Sequence, residues 1–110
     1  MSEPLAPAAK TLEGVQKLVP GIKLSEDDVR DVSARVQKVA NTVEENRTKI
    51  WLRTRAGKEM VEAIQRASDE LLGILASGSE KEVFLAALAA LEAEAARIDE
   101  ESRRRSMVVT

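Results

Sequence analysis

The chain contains no cysteine, no histidine and no tyrosine, and it has one tryptophan and one phenylalanine among its 110 residues. Without cysteine the chain can form no disulfide and perform no thiol chemistry, which leaves its redox compartment open. The absence of histidine removes the commonest general base and the usual zinc ligand. Because aromatic residues are so few, the core must be aliphatic, and this composition favours helices over a sheet.

The chain also lacks a long hydrophobic run. The longest one, Val83 to Leu91, has nine residues, which is under half of what a bilayer requires. We interpret it as a helix buried on most sides of a bundle. The net charge of −2 argues against bulk binding of nucleic acid, and residues 1–10 have no secretory pattern. We therefore expect a cytoplasmic protein whose main partner is neither nucleic acid nor a membrane.

No residue pattern typical of catalysis is present. The sequence has no spaced pair of carboxylates, no phosphate-binding loop and no set of residues with metal-ligand spacing. We expect a protein that is not an enzyme and that uses no cofactor and no metal.

Helical periodicity is the dominant feature of the chain. From Ser25 to Ala76, apolar residues recur at alternating spacings of three and four, which is typical of a helix that buries one stripe against another helix. The start of this helix is marked by Ser25, a good N-cap residue, and by the three acidic residues that follow it.

Start and stop signals divide the whole chain into segments. Pro20-Gly21 and Gly78 are expected to end helices. The predicted segments are a disordered arm over 1–8, a single helical domain over 9–105 with helices at 9–19, 26–76 and 80–104, and a flexible tail over 106–110.

Gly57 allows two interpretations of the long segment. A break near residues 54–57 would give a compact monomeric four-helix bundle. However, no good N-cap residue follows Gly57, and the heptad register is the same on both sides of it. We therefore favour a continuous long helix that pairs with the last helix as an antiparallel hairpin.

In that hairpin the last helix cannot reach the first half of the stripe. Burying each Val or Ile there is worth roughly 1.5–3 kcal/mol, so a second copy of the chain is expected to cover it. We predict an all-α, coiled-coil-like homo-oligomer, most simply a dimer, in which Asn46 fixes the register. Trp51 is either an interface anchor or a large core residue that fills space where the stripe lapses. The residues predicted to carry self-association are Val29, Val32, Val36, Val39, Val43, Ile50 and Trp51.

A run of basic residues without an intervening acid lies in the middle of the chain. It consists of Arg47, Lys49, Arg53, Arg55 and Lys58. Such a run can contact phosphate, nucleic acid or an acidic partner. Because no aromatic interleaving or glycine-rich loop accompanies it, we favour a solvated face that the acids of the last helix neutralise.

These features indicate a protein–protein interaction or assembly protein, such as an adaptor, scaffold, small chaperone or structural subunit. Its expected partners are a second copy of itself and another protein. Two alternatives remain: a helical protein that binds anions or nucleic acid through the basic run, and a membrane-active helical bundle.

Overall fold

The computed structural model describes residues 3–108, with the side chains of residues 3–106. Within that range the chain is entirely helical and has no strand, which confirms the predicted all-α class. Two short 3₁₀ helices, Val19–Gly21 and Ile50–Arg53, lie in the first and second connections. The α-helices are α1 (Ala6–Leu18), α2 (Glu26–Asn46), α3 (Arg55–Ser77) and α4 (Lys81–Val108).

The predicted start of α2 and the predicted stop of α3 are confirmed. The Ser25 hydroxyl accepts a hydrogen bond from the backbone N–H of Asp28 at 3.2 Å, and the acids of the first turn face the positive end of the helix. At the end of α3, Gly78 has a φ of 73°. This left-handed backbone suits glycine and lets the chain turn from α3 into α4.

The continuous helix over 26–76 is wrong, because α2 ends at Asn46 and α3 begins at Arg55. Thr54 is the N-cap of α3: its hydroxyl accepts from the N–H of Gly57 at 3.1 Å and donates to the carbonyl of Trp51 at 2.7 Å. The cap therefore precedes Gly57, which lies in the first turn of a new helix. We call residues 47–54 the corner.

The four helices form a bundle in which each helix has two main neighbours. α1 packs against α2 and α3, and α4 packs against the same two helices. The corner therefore crosses the end of the bundle diagonally. Paired side chains show that α1 is parallel to α3, as in the Thr11–Asp69 hydrogen bond, and that α2 is parallel to α4, as in the Arg35–Glu92 ion pair. The molecule measures 48 × 25 × 19 Å.

Four of the five valines of α2 lie in the core of this bundle. Each of these four is at most 3% exposed, and α1 and α4 are the helices that pack against α2. The premise that the chain cannot cover its own stripe is therefore wrong, and burial of these residues does not require a second copy. The buried valines of α2 are Val32, Val36, Val39 and Val43.

Both ends of the helical region extend further than predicted. Leu5 is fully buried and α1 begins at Ala6, so residues 3–8 are not a disordered arm. α4 continues to Val108, into the predicted tail. The predictions for residues 1–2 and 109–110 lie outside the described residues.

Candidate interaction surfaces

A chain of buried hydrogen bonds fastens the corner to α4. The indole Nε1 of Trp51 donates to the Ser102 hydroxyl at 2.8 Å, and that hydroxyl donates to Oδ1 of Asn46 at 2.5 Å. The Asn46 Nδ2 donates to the backbone carbonyl of Thr42 at 2.8 Å. Asn46 is therefore a buried polar residue, as expected, but it links two helices of the same chain.

Trp51 serves the fold of its own chain. Its side chain is 8% exposed, and the guanidinium of Arg105 lies 5.1 Å from its ring centroid, which is a cation–π contact. Leu52 beside it is fully buried. Of the two roles considered for Trp51, the structure shows the core residue, which holds the corner against α4.

Ile50 is the outward-facing apolar residue of the corner. Its side chain is 85% exposed, whereas Val29, at the other end of the predicted stripe, is partly buried against the core. The two residues at the ends of the stripe therefore lie in very different surroundings. Of the predicted self-association residues, Ile50 is the one that is largely open to solvent.

The basic run divides into paired and unpaired residues. Arg47 pairs with Glu44 at 3.0 Å and with Glu3 at 2.7 Å, and the hydrogen bonds that it donates to these two acids raise the pKa of Arg47. Arg53 is exposed and also makes interactions. The exposed residues of the run that have no ion pair within residues 3–106 are Lys49, Arg55 and Lys58.

The acids of α4 serve mainly the arginines of α4. Asp99 pairs with Arg103 at 3.0 Å, and Glu101 binds both Arg104 and Arg105. These contacts lower the pKa of Glu101, chiefly through its hydrogen bond with Arg104. No ion pair joins Lys49, Arg55 or Lys58 to these acids within residues 3–106, so direct pairs do not provide the predicted neutralisation at these three residues.

The outer side of α4 carries an apolar surface without charges. Between residues 83 and 96, all six exposed residues are valine or alanine. This surface, which we call the α4 face, extends for about 20 Å at the usual helical rise. Its residues are Val83, Ala86, Ala89, Ala90, Ala93 and Ala96.

The two acids between residues 83 and 96 are partly buried and are paired with arginines. Glu92 pairs with Arg35 of α2 at 2.5 Å, and Glu94 pairs with Arg97 at 3.2 Å. The interpretation of Val83 to Leu91 as buried on most sides therefore holds for one side only, the side of Phe84, Leu88 and Leu91. In the sequence, the only sign of an exposed apolar side is that apolar residues of this segment occur all the way around the helix.

A groove of about 390 Å³ lies at the end of the bundle opposite the corner, near the turn from α3 into α4. We call this end of the bundle the hairpin end. Lys81 stands at the rim of the groove and pairs with Asp28 at 2.8 Å, which lowers the pKa of that carboxyl. Its apolar lining comes from Leu18, Ile22, Leu24, Ile74, Leu75 and Phe84.

Two searches for other kinds of site were negative over residues 3–108. No group of three or more acidic, histidine or cysteine side chains is placed to hold a metal ion. None of the helices there combines the length and the apolar character needed to cross a bilayer. Comparison of the chain with protein-family models, with curated proteins and with solved structures finds no match.

Proposed function

We propose that this chain is a protein–protein interaction protein that self-associates through the α4 face. The observation that carries the proposal is that every exposed residue of α4 from 83 to 96 is apolar. α2, in contrast, exposes charged residues such as Arg30, Asp31 and Lys38 over a similar length. An apolar surface that continues over several turns is typical of a contact site.

The order of residues on this face suits a second copy in antiparallel orientation. With a two-fold axis between Ala89 and Ala90, Val83 of one copy faces Ala96 of the other, and Ala86 faces Ala93. A two-fold interface must be complementary to itself in this way. Small side chains at all the central positions allow the two helices to approach closely.

The charges at the two ends of the face favour the same arrangement. Glu82 directly precedes the face, and Arg97 directly follows it. Antiparallel pairing brings Glu82 of each copy opposite Arg97 of the other. Parallel pairing would set like charges against each other, which is unfavourable.

The mass in solution tests this proposal. We expect a dimer by light scattering coupled to size exclusion, and we expect the double variant Ala86→Glu with Ala93→Glu to be a monomer. Both positions are exposed, so the helical circular dichroism and the melting temperature of the monomer should stay close to those of the parent. The matched control is Ala34→Glu with Ala76→Glu, two exposed alanines outside the face.

A parent protein that remains a monomer at high concentration would contradict the proposal. The same holds if the control pair changes the mass as much as the α4 pair does.

A further inference from the structure

We propose that the corner binds the surface of an anionic membrane, with Ile50 inserted among the lipids and the neighbouring cations placed over the headgroups. The starting observation is the 85% exposure of Ile50. Its two successors along the chain, Trp51 and Leu52, are buried. The chain therefore exposes one aliphatic residue at a place where the backbone is firmly held.

The backbone of the corner has little freedom to draw Ile50 inward. Trp51 is held by its hydrogen bond to Ser102, and Thr54 caps α3 and binds the carbonyl of Trp51. The first turn of α3 packs directly beneath, since a Cβ on Gly57 would lie 2.5 Å from the Cα of Leu52. Ile50 is thus presented outward by the fold itself.

The charge around Ile50 differs sharply from the charge of the rest of the chain. Residues 47–58 contain five basic residues and no acid, a net charge of +5. Because the whole chain carries −2, the remaining residues together carry −7. Arg105 stacks on Trp51 at the same end of the bundle. Glu3 and Glu44 at this end are already paired with Arg47, whereas Lys49, Arg55 and Lys58 make no ion pair within residues 3–106. An anionic surface would attract these three cations, so the 48 Å long molecule would bind by its tip.

The composition of the tip favours lipid over a polyanion in water. A membrane surface has charged headgroups above an apolar layer. An exposed aliphatic side chain between cations is stabilised there, because the side chain leaves water while the cations contact the headgroups. It gains nothing from a phosphate group alone. The residue that could stack on a nucleic-acid base, Trp51, is buried. The overall charge of the chain conceals this site, because the acids lie outside residues 47–58 in the sequence.

The experiment is flotation of the full chain with vesicles of phosphatidylcholine alone or mixed with phosphatidylserine. We expect binding to the mixed vesicles only, and weaker binding as salt increases. Reversing two unpaired cations, Lys49→Glu with Lys58→Glu, should weaken binding more than about tenfold. The control, Lys17→Glu with Lys38→Glu, makes the same charge change at exposed residues away from the corner and should weaken binding far less.

A separate substitution tests the role of Ile50 in the same experiment. Ile50→Ser should weaken vesicle binding about fivefold or more, whereas Leu18→Ser, at an exposed aliphatic residue of the hairpin end, should have little effect. No binding to the mixed vesicles at low salt would overturn the proposal. Equal losses in the two charge-reversed pairs would also overturn it. So would binding to duplex DNA that depends on Lys49 and Lys58 and is indifferent to Ile50. None of these outcomes depends on whether the chain is a dimer.

Discussion

The backbone of Gly57 lies against the backbone of Trp51 so closely that a methyl group on residue 57 would be 2.3 Å from the Trp51 carbonyl oxygen. This contact defines the angle between the corner and α3. Both partners are backbone atoms, so a side chain at residue 57 could be accommodated only if the corner moved.

Gly57→Ala should therefore lower the free energy of unfolding by about 1–3 kcal/mol, the usual cost of overpacking. The measurement is urea denaturation followed by circular dichroism. Gly73→Ala is the matched control, because Gly73 lies in the same helix with nothing within 4 Å of the added Cβ. We expect it to raise stability by about 0.5–1 kcal/mol. If both variants behave alike, the close contact at Gly57 is not present in solution.

Ser102 connects the corner to α4 through two buried hydrogen bonds. Ser102→Ala leaves the Trp51 indole N–H and the Asn46 carbonyl oxygen without this partner, which should lower stability by about 1–3 kcal/mol. The fluorescence of Trp51 should change as well, since its polar contact is lost. Ser106→Ala, at an exposed serine of the same helix, should leave both quantities unchanged. An unaltered emission spectrum in Ser102→Ala would show that the indole bonds elsewhere.

Ser68 is also a buried serine, but unlike Ser102 it makes no hydrogen bond with its side chain within the described residues. Its hydroxyl is buried in α3. Ser68→Ala removes the unpaired group and introduces a better helix former, so it should raise the free energy of unfolding by about 1 kcal/mol. Thermal and urea denaturation would measure the change. A loss of stability of similar size would indicate a partner for the hydroxyl, such as a buried water molecule.

Asp28 links acidity to stability at the hairpin end. The hydrogen bond from Lys81 lowers the pKa of Asp28 below its ordinary value of 3.8. A carboxyl with a lowered pKa in the folded state stabilises the fold above its unfolded pKa, and this contribution is lost as the pH falls through the lowered value. Asp28→Asn should therefore reduce the acid dependence of the melting temperature below about pH 4. Asp31→Asn is the control, because it removes the same charge from an exposed residue of the same helix that has no hydrogen bond with Lys81. It should change that dependence less than Asp28→Asn does.

The helical content and the aliphatic core could be predicted from periodicity, because each helix buries one stripe and exposes the other side. Periodicity could not decide between a continuous helix and the break between α2 and α3. Both helices face the same core, so a common heptad register on the two sides of Gly57 does not require a continuous helix. The signal that was overlooked is Thr54, whose hydroxyl caps α3 three residues before Gly57.

The α4 face was hidden for a different reason. Alanine is compatible both with close packing inside a bundle and with exposure, so the alanine-rich stretch from Leu85 to Ala96 does not reveal which side faces solvent. The exposure of Ile50 was equally hidden, because it fits the heptad pattern although the corner places it outside the core.

The parallel arrangement of α1 with α3 and of α2 with α4 has a practical consequence for labelling. Glu3 contacts Arg47, and Arg105 contacts Trp51, so the first and last described segments both approach the end of the bundle that carries Ile50. A fluorescent domain fused near either segment would crowd that tip. The turn around Gly78 lies at the far end of the 48 Å axis, and a small dye attached there would report on binding without obstructing it.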